Sequence, residues 1–559
     1  MSRVDTMPGV APLRRAAAPF ATPLALAGLL LVVVGTLLPW AGFAGFPGAL
    51  SLSLYPSGSR LYVLVLAPAL LLVLTRFTRR REAGLAASLG LLAVVVQTMI
   101  AITQAGGGFV NVSAGAEVSL IGAVLGVVAF LGLPDDKVDG AAGDLPAWPH
   151  LPAAAEVTGV LVALAAGLGL VVYATLHVDA PSQFIGFTLA LLGAIMALNR
   201  LGLFDLLGTL YARRHTWTLV LMAVAAVAFP FTQNGTSYWL RVAANIGVFA
   251  AAAIGLNVVV GLAGLLDLGY IAFFGIGAYV AALYGNAGLG PSRGHLPFLL
   301  VVVLGALLSG LIGVIIGFPT LRLRGDYLAI VTLGFGEIFR ILMNTYDSFT
   351  GGPNGLANIP DLKQGSFDFG LPHTVLGIQL KGFANYYFIE LILVAVLMLL
   401  FSRLNDSRIG RAWVAIREDE LAAASMGINT VSMKLLAFGI GATLAGASGT
   451  VQAHVATQVS PDSFVFLNSV FLLAAVVLGG MGTVPGAVLG SAILLAVPEK
   501  LRAFQDYRLL IFGVALIIIM RFRPEGLIAS KRRQREFHEG GGAAGGLSAP
   551  PGAPGSAVS

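Results

Sequence analysis

The residues best suited to chemistry gather between Ser402 and Asn429. There Arg403, Arg408, Arg411 and Arg417 lead into the acidic run Glu418-Asp419-Glu420, followed by Ala422, Ala423 and Gly427. No nucleophile and base stand together in this stretch, so its chemistry is recognition: charges to pair with a partner, and small residues to let a second backbone approach. The stretch from Arg411 to Met426 is rich in helix formers, and Gly427 stands where a C-terminal cap falls. One short helix is expected, with Trp413, Ile416, Leu421 and Met426 forming a partly apolar face. Such a helix suits docking into a groove of another protein. A solvated interfacial helix that carries a charge cluster fits the same pattern.

Elsewhere the sequence argues against catalysis. The seven histidines, His150, His177, His215, His295, His373, His454 and His538, show no helical ligand spacing, and cysteine is absent, so no metal or haem site is expected. No phosphate-binding Gly-x-x-x-x-Gly-Lys-Ser/Thr loop occurs. Glu337 and Arg340 are three residues apart inside an apolar segment and share a helix face. A structural ion pair explains them, and a functional pair within the membrane is the alternative. Asp267 and Asp326 stand where helix starts are expected and suit capping. Glu390 is expected to reach the membrane interface from near the outer end of its helix.

The elements that must position these residues follow from composition. Of 559 residues, 57% are hydrophobic and 11% charged, and the mean hydropathy is +0.89. A typical soluble domain is about 25% charged. These values exclude a soluble enzyme, a disordered chain and a nucleic-acid-binding protein. The net charge of +6 is spread between apolar runs, which sets orientation in a bilayer rather than affinity for phosphate. Continuous apolar runs near the ~20 residues of a spanning helix predict an all-α polytopic membrane protein, a helical bundle. Spans are expected near 18–38, 61–75, 84–102, 117–133, 157–175 and 183–199. A second series is expected near 217–231, 242–263, 268–286, 297–318, 326–344, 386–402, 434–455, 466–481, 484–499 and 508–521, for about sixteen in all.

With the N-terminus inside, 24 of the 33 Lys and Arg fall in inner segments and eight in outer ones, while Arg340 lies within a span. That bias sets both termini in the cytoplasm. The first span, long and without a clear cleavage site, reads as an uncleaved helix. Three parts are expected: a six-span membrane extension over 1–215 whose role is open, a ten-span core over 216–530 with the patterned loop 403–433, and a basic then disordered tail over 531–559. The turn between the spans of 466–499 is expected at Gly479 to Gly486. Glycines at four-residue spacing, Gly482, Gly486 and Gly490 among them, suit close helix packing, or a path that leaves room for substrate.

The stretch Gly410 to Ala423 resembles the LivM branch of the branched-chain amino acid ABC permeases. So do Gly255 to Gly264, Leu321 to Glu337, Thr350 to Gly355 and Gly479 to Thr483, in family order over about 240–528. Ala422-Ala423 followed by Gly427 is similar to the part of the loop through which such permeases contact their ATPases, although Leu421 stands where a Glu is usual and Glu420 comes one place earlier. The resemblance implies a permease subunit in a bacterial inner membrane, moving leucine, isoleucine or valine. It also implies a sister permease, two ABC ATPase subunits holding ATP and Mg, and an extracytoplasmic solute-binding protein, with no cofactor on this chain. The ATPase-coupling residues are then expected to be Arg411, Arg417, Glu418, Asp419, Glu420, Ala422, Ala423 and Gly427. Asn257, Gly261, Gly264, Glu337, Gly352 and Asn354 are expected along the substrate path. Related permeases carry urea, short amides or aromatic acids, and the sequence leaves those open. An ion-coupled secondary carrier is a further alternative, but it would usually need several membrane-embedded carboxylates.

Overall fold

The computed structural model describes residues 18–41, 80–133, 152–232, 237–285, 297–320 and 326–500 apart from short gaps, together with scattered positions from 502 to 528. The expected spans at 61–75 and most of 508–521, and the tail 531–559, lie outside the described residues. The chain forms two compact units that divide after Thr232. The helix expected to open the ten-span core, near 217–231, therefore belongs with the first unit.

Among the described residues the helices of the first unit are α1 (Ala21–Leu37), α2 (Arg80–Gly106), α3 (Ala114–Gly132), α4 (Ala153–His177), α5 (Pro181–Arg200), α6 (Leu203–Arg213) and α7 (His215–Thr232). α1 packs along α3, and α2 lies between α3 and α5. Val32, Leu91, Val95 and Ile102 are buried there around Trp40, whose indole N–H donates to the Gly35 carbonyl at 2.9 Å. α6 was not expected from hydropathy. Its eleven residues are too short for a span, and Arg213 at its end pairs with the buried Glu156 of α4 at 3.2 Å.

Among the described residues the helices of the second unit are α8 (Ser237–Asn257), α9 (Tyr270–Gly285), α10 (Phe298–Thr320), α11 (Asp326–Thr345), α12 (Gly382–Asp406), α13 (Arg408–Glu418), α14 (Glu420–Ser425), α15 (Thr430–Ala456), α16 (Phe466–Gly479) and α17 (Val484–Lys500). α15 is the axis of this unit, packed against α8, α9 and α10. Backbones come close because the contact residues are small. A Cβ built on Gly277 of α9 would stand 2.0 Å from the Gly446 carbonyl oxygen of α15, so no larger residue fits there without moving a helix.

Among the described residues, eight helices are long and apolar enough to cross a membrane: 82–104, 114–132, 154–175, 238–262, 298–320, 327–345, 384–406 and 430–456. Five more apolar helices are shorter. The fold is not purely helical. Small antiparallel pairs join β2 (Lys363–Gln364) to β3 (Phe367–Asp368) and β4 (His373–Val375) to β5 (Ile378–Leu380), while β1 (Leu356–Ala357) pairs with β6 (Gln458–Val459). Periodicity over two or three residues carries no strand signal.

Two expectations are corrected here. Asp419 breaks the single helix expected from Arg411 to Met426 into α13 and α14. Its backbone is extended, and its Oδ1 accepts from Leu421 N at 2.8 Å and Ala422 N at 3.0 Å, which is an N-cap. Glu390 does not reach an interface. It is 1% exposed, and its Cβ meets Gly247 of α8.

The glycine contacts make a stability prediction. Gly277→Ala is expected to lower the thermal unfolding midpoint of the detergent-purified protein, through an overpacking cost of about 1–3 kcal/mol. Gly334→Ala on α11, where a Cβ would meet nothing within 4 Å, is expected to leave it unchanged or raised. Thermal melts followed by size-exclusion chromatography check both.

Candidate functional site

The candidate site is built where α8 loses its regular winding. After Asn257 the chain widens into a π-turn over Val258–Leu262, then runs irregularly to Tyr270. Irregular backbone survives in an apolar setting only when protein groups replace the missing helical hydrogen bonds. Here they do. Ala263 N donates to Val258 O and Leu265 N to Val259 O. Leu268 N donates to Thr332 Oγ1 at 3.1 Å, Gly269 N to Asp267 Oδ1 at 2.9 Å, and Ile271 N to Ser469 Oγ at 3.1 Å. Asp267 Oδ1 thus closes a turn on Gly269 just ahead of α9 and takes no donor of the helix itself, unlike the cap expected there, and Tyr270 OH donates to Gly441 O of α15 at 2.9 Å.

Three of the expected substrate-path residues meet at this break. Asn257 is 0% exposed, and both ends of its amide are committed to the turn between α16 and α17. Oδ1 accepts from Gly482 N at 2.8 Å, and Nδ2 donates to Thr483 O at 2.9 Å. Gly261 and Gly264 lie beside it. A Cβ on Gly261 would stand 2.6 Å from Gly482 N, and one on Gly264, whose φ is +71°, would stand 2.6 Å from the Cγ of Arg417. The turn is glycine-made, with φ of +122° at Gly480 and +79° at Gly482.

The other expected path residues lie apart from this cluster. Gly352 is buried at φ +56° against the Asp347 carboxylate, and the Asn354 carbonyl accepts from Gln458 Nε2 at 3.4 Å. Both belong to the loop that β1 ties to the end of α15. Glu337 pairs along its own helix with Arg340, whose Nε donates to Oε1 at 2.9 Å.

α13 and α14 carry the expected coupling residues, and the structure sorts them by partner. Ser407, which hydropathy does not single out, caps α13 by accepting from Gly410 N. Trp413 is buried and its indole N–H donates to Met433 O at 2.7 Å; Ile416 is buried beside it. Arg417 Nη1 donates to Gly261 O at 2.6 Å, so its guanidinium is used inside the chain. Arg411 Nη1 donates to Asp406 O at 3.0 Å. Glu420 pairs with Lys434 at the start of α15, Nζ to Oε1 at 2.6 Å. Ala423 is buried, while Glu418 and Ala422 are exposed. Gly427, at φ +85°, turns the chain out of α14. The apolar face is divided as well. Trp413 and Ile416 face the protein, whereas Leu421 is 70% and Met426 84% exposed. The sequence pattern placed all four together because it assumed one continuous helix.

With this geometry in view, the comparisons with known proteins decide the family. Residues 238–520 match the model of the branched-chain amino acid transport system permease component. The chain belongs to that family. It is 40% identical over 337 residues to the high-affinity branched-chain amino acid transport permease LivM of Salmonella typhimurium, covering 58% of this chain and 77% of that one. It is 29% identical over 286 residues to BraD of Pseudomonas aeruginosa, covering 50% and 91%, and 27% identical over 295 residues to LivH of Salmonella typhimurium, covering 50% and 91%. No solved structure matches. The matched region takes in α8 to α17, so the break, the glycine turn and the α13–α14 pair all lie on the family's part of a multi-pass membrane protein.

The cap at Asp419 separates a structural role from a charge role. Asp419→Ala is expected to cost about 1 kcal/mol locally and to speed amide exchange across 420–426. Asp419→Asn, an equally good cap without the charge, is expected to keep the wild-type protection. Hydrogen exchange with mass spectrometry distinguishes the two.

Proposed function

We propose that this chain is one permease subunit of an ATP-driven importer that moves leucine, isoleucine and valine into the cell across a bacterial inner membrane. About sixteen helices span the bilayer, and both termini face the cytoplasm. In this reading a solute-binding protein delivers the amino acid to the outer side, where the loop of Gly352 and Asn354 lies. A sister permease completes the translocation path, and two ABC ATPase subunits hold and hydrolyse ATP with Mg. Membership of the permease family supports the substrate class, and similarity to both LivM and LivH supports a paired permease.

The observation that carries the reading is the α13–α14 pair. It is folded by its own caps, held to the chain by Trp413 and Arg417, and presents Glu418, Leu421, Ala422 and Met426 outward. Large apolar side chains held exposed on a short, rigid helix suit a partner's groove. The sequence holds no phosphate loop, so if transport is ATP-driven the hydrolysis must be done by another chain. ATPase closure would pull on α13–α14, and α15, which follows directly and packs along three other helices, would carry that displacement into the bundle.

Uptake of radiolabelled leucine tests this, in cells carrying the chain with its neighbouring-gene partners. Wild type is expected to import only when ATPase and binding protein are present. A Leu421→Asp/Met426→Asp variant, inserted at normal levels, is expected to lose uptake by about tenfold or more. ATPase-independent uptake would overturn the importer reading. Normal uptake by the variant would remove α14 as the docking element.

A further inference from the structure

We infer that Asn257 and Arg417 are positioning residues that fasten α13, the break in α8 and the α16–α17 turn into one transmission block. This rests on the importer reading above, and it specifies how displacement of α13–α14 leaves the loop and enters the membrane.

Two routes lead out of α13–α14. One runs into α15, through the chain itself, the Trp413–Met433 hydrogen bond and the Glu420–Lys434 ion pair. The other runs sideways, and side chains make it. Arg417 reaches Gly261 O, a carbonyl of the π-turn, and its aliphatic stem lies against Gly264. From the same turn Asn257 reaches Gly482 and Thr483, more than two hundred residues away in sequence. A Cβ on Gly482 would meet Gly261 O at 3.5 Å and Arg417 Nη1 at 3.9 Å, so three elements meet within a single layer of atoms. Thr483 Oγ1 closes the turn by donating to Gly480 O at 2.8 Å.

This arrangement suits transmission more than simple cohesion. Asn257 holds the turn by a donor and an acceptor on neighbouring residues of one strand of backbone, a two-point contact that resists both sliding and rotation. It is fully buried, so water cannot take over either bond when the block moves, and unmade buried bonds are costly. The charged Arg417 donor on a carbonyl freed by the π-turn is of the stronger hydrogen-bond class. A regular helix would have used that carbonyl for itself. The break in α8 therefore exposes a handle, and the coupling helix holds it.

The test uses the complete complex in proteoliposomes, with ATP hydrolysis and leucine uptake measured on the same preparation. Asn257→Ala is expected to assemble and hydrolyse ATP while leucine moved per ATP falls about tenfold. Arg417→Ala is expected to behave alike. Arg417→Lys, which keeps a charged donor without the planar fork, is expected to recover part of the loss. The double variant Asn257→Ala/Arg417→Ala is expected to be little worse than either single one, because the two act on one unit. Hydrolysis and uptake falling in equal proportion, or leucine per ATP unchanged, would overturn the inference.

A second measurement leaves the block itself intact. The chain lacks cysteine, so spin labels enter cleanly at Arg408→Cys and Pro485→Cys, both exposed. Their separation is expected to stay constant between nucleotide-free and ATP-trapped complexes, and a change of several ångströms would overturn the inference. Failure of the wild-type complex to couple uptake to ATP at all is a different result. It would sink the importer reading and take the inference with it.

Discussion

A helix that breaks in apolar surroundings must hand its freed hydrogen-bonding groups to other parts of the protein, and the second unit is organised around that requirement. The segment from Val258 to Gly269 finds partners in Arg417 from α13, Thr332 from α11 and its own Asp267, and just beyond it Ser469 of α16 accepts from Ile271 N. Asn257, at the entrance to the break, fixes a further piece of chain, the glycine turn at 480–483. Elements distant in sequence are therefore fixed relative to one another by polar bonds in a place where apolar contact alone would leave them free to slide.

The second organising feature is α15, and it depends on what is absent. Lipid offers little hydrophobic drive between helices, so helices associate by approaching closely enough for dispersion and backbone contact. Gly446 facing Gly277, and Gly441 facing Gly255, let α15 lie directly on α9 and α8. The same helix emerges from α14, where Lys434 and Met433 hold the α13–α14 pair. Close packing along the helix and polar ties at its end make α15 a stiff extension of α13–α14.

Set beside these features, the residues expected for coupling and for the substrate path divide by task. Arg417 and Asn257 work inside the chain, Asp419 and Gly427 shape the backbone, and Glu418, Leu421 and Met426 remain as outward surface. Charge count alone did not separate them. A charge run on a helix looks the same whether its members cap, cross-link or wait for a partner, because each of those roles is set by what lies opposite.

Composition and apolar run length by themselves determined a polytopic helical protein, since the bilayer admits few other solutions for runs of this length. Local propensity and glycine punctuation, which act over a few residues, also located most of the helices, a turn within 479–486 and the patterned segment 403–433. The family was legible too, through five short blocks in order. What only the tertiary structure decided was every bond between distant residues: Asn257 with the 482–483 backbone, Arg417 with Gly261, Glu390 buried against Gly247. It also decided the break at Asp419, where capping by one carboxylate outweighed the helix propensity of its neighbours. Partners across two hundred residues are selected by packing, which no local pattern encodes.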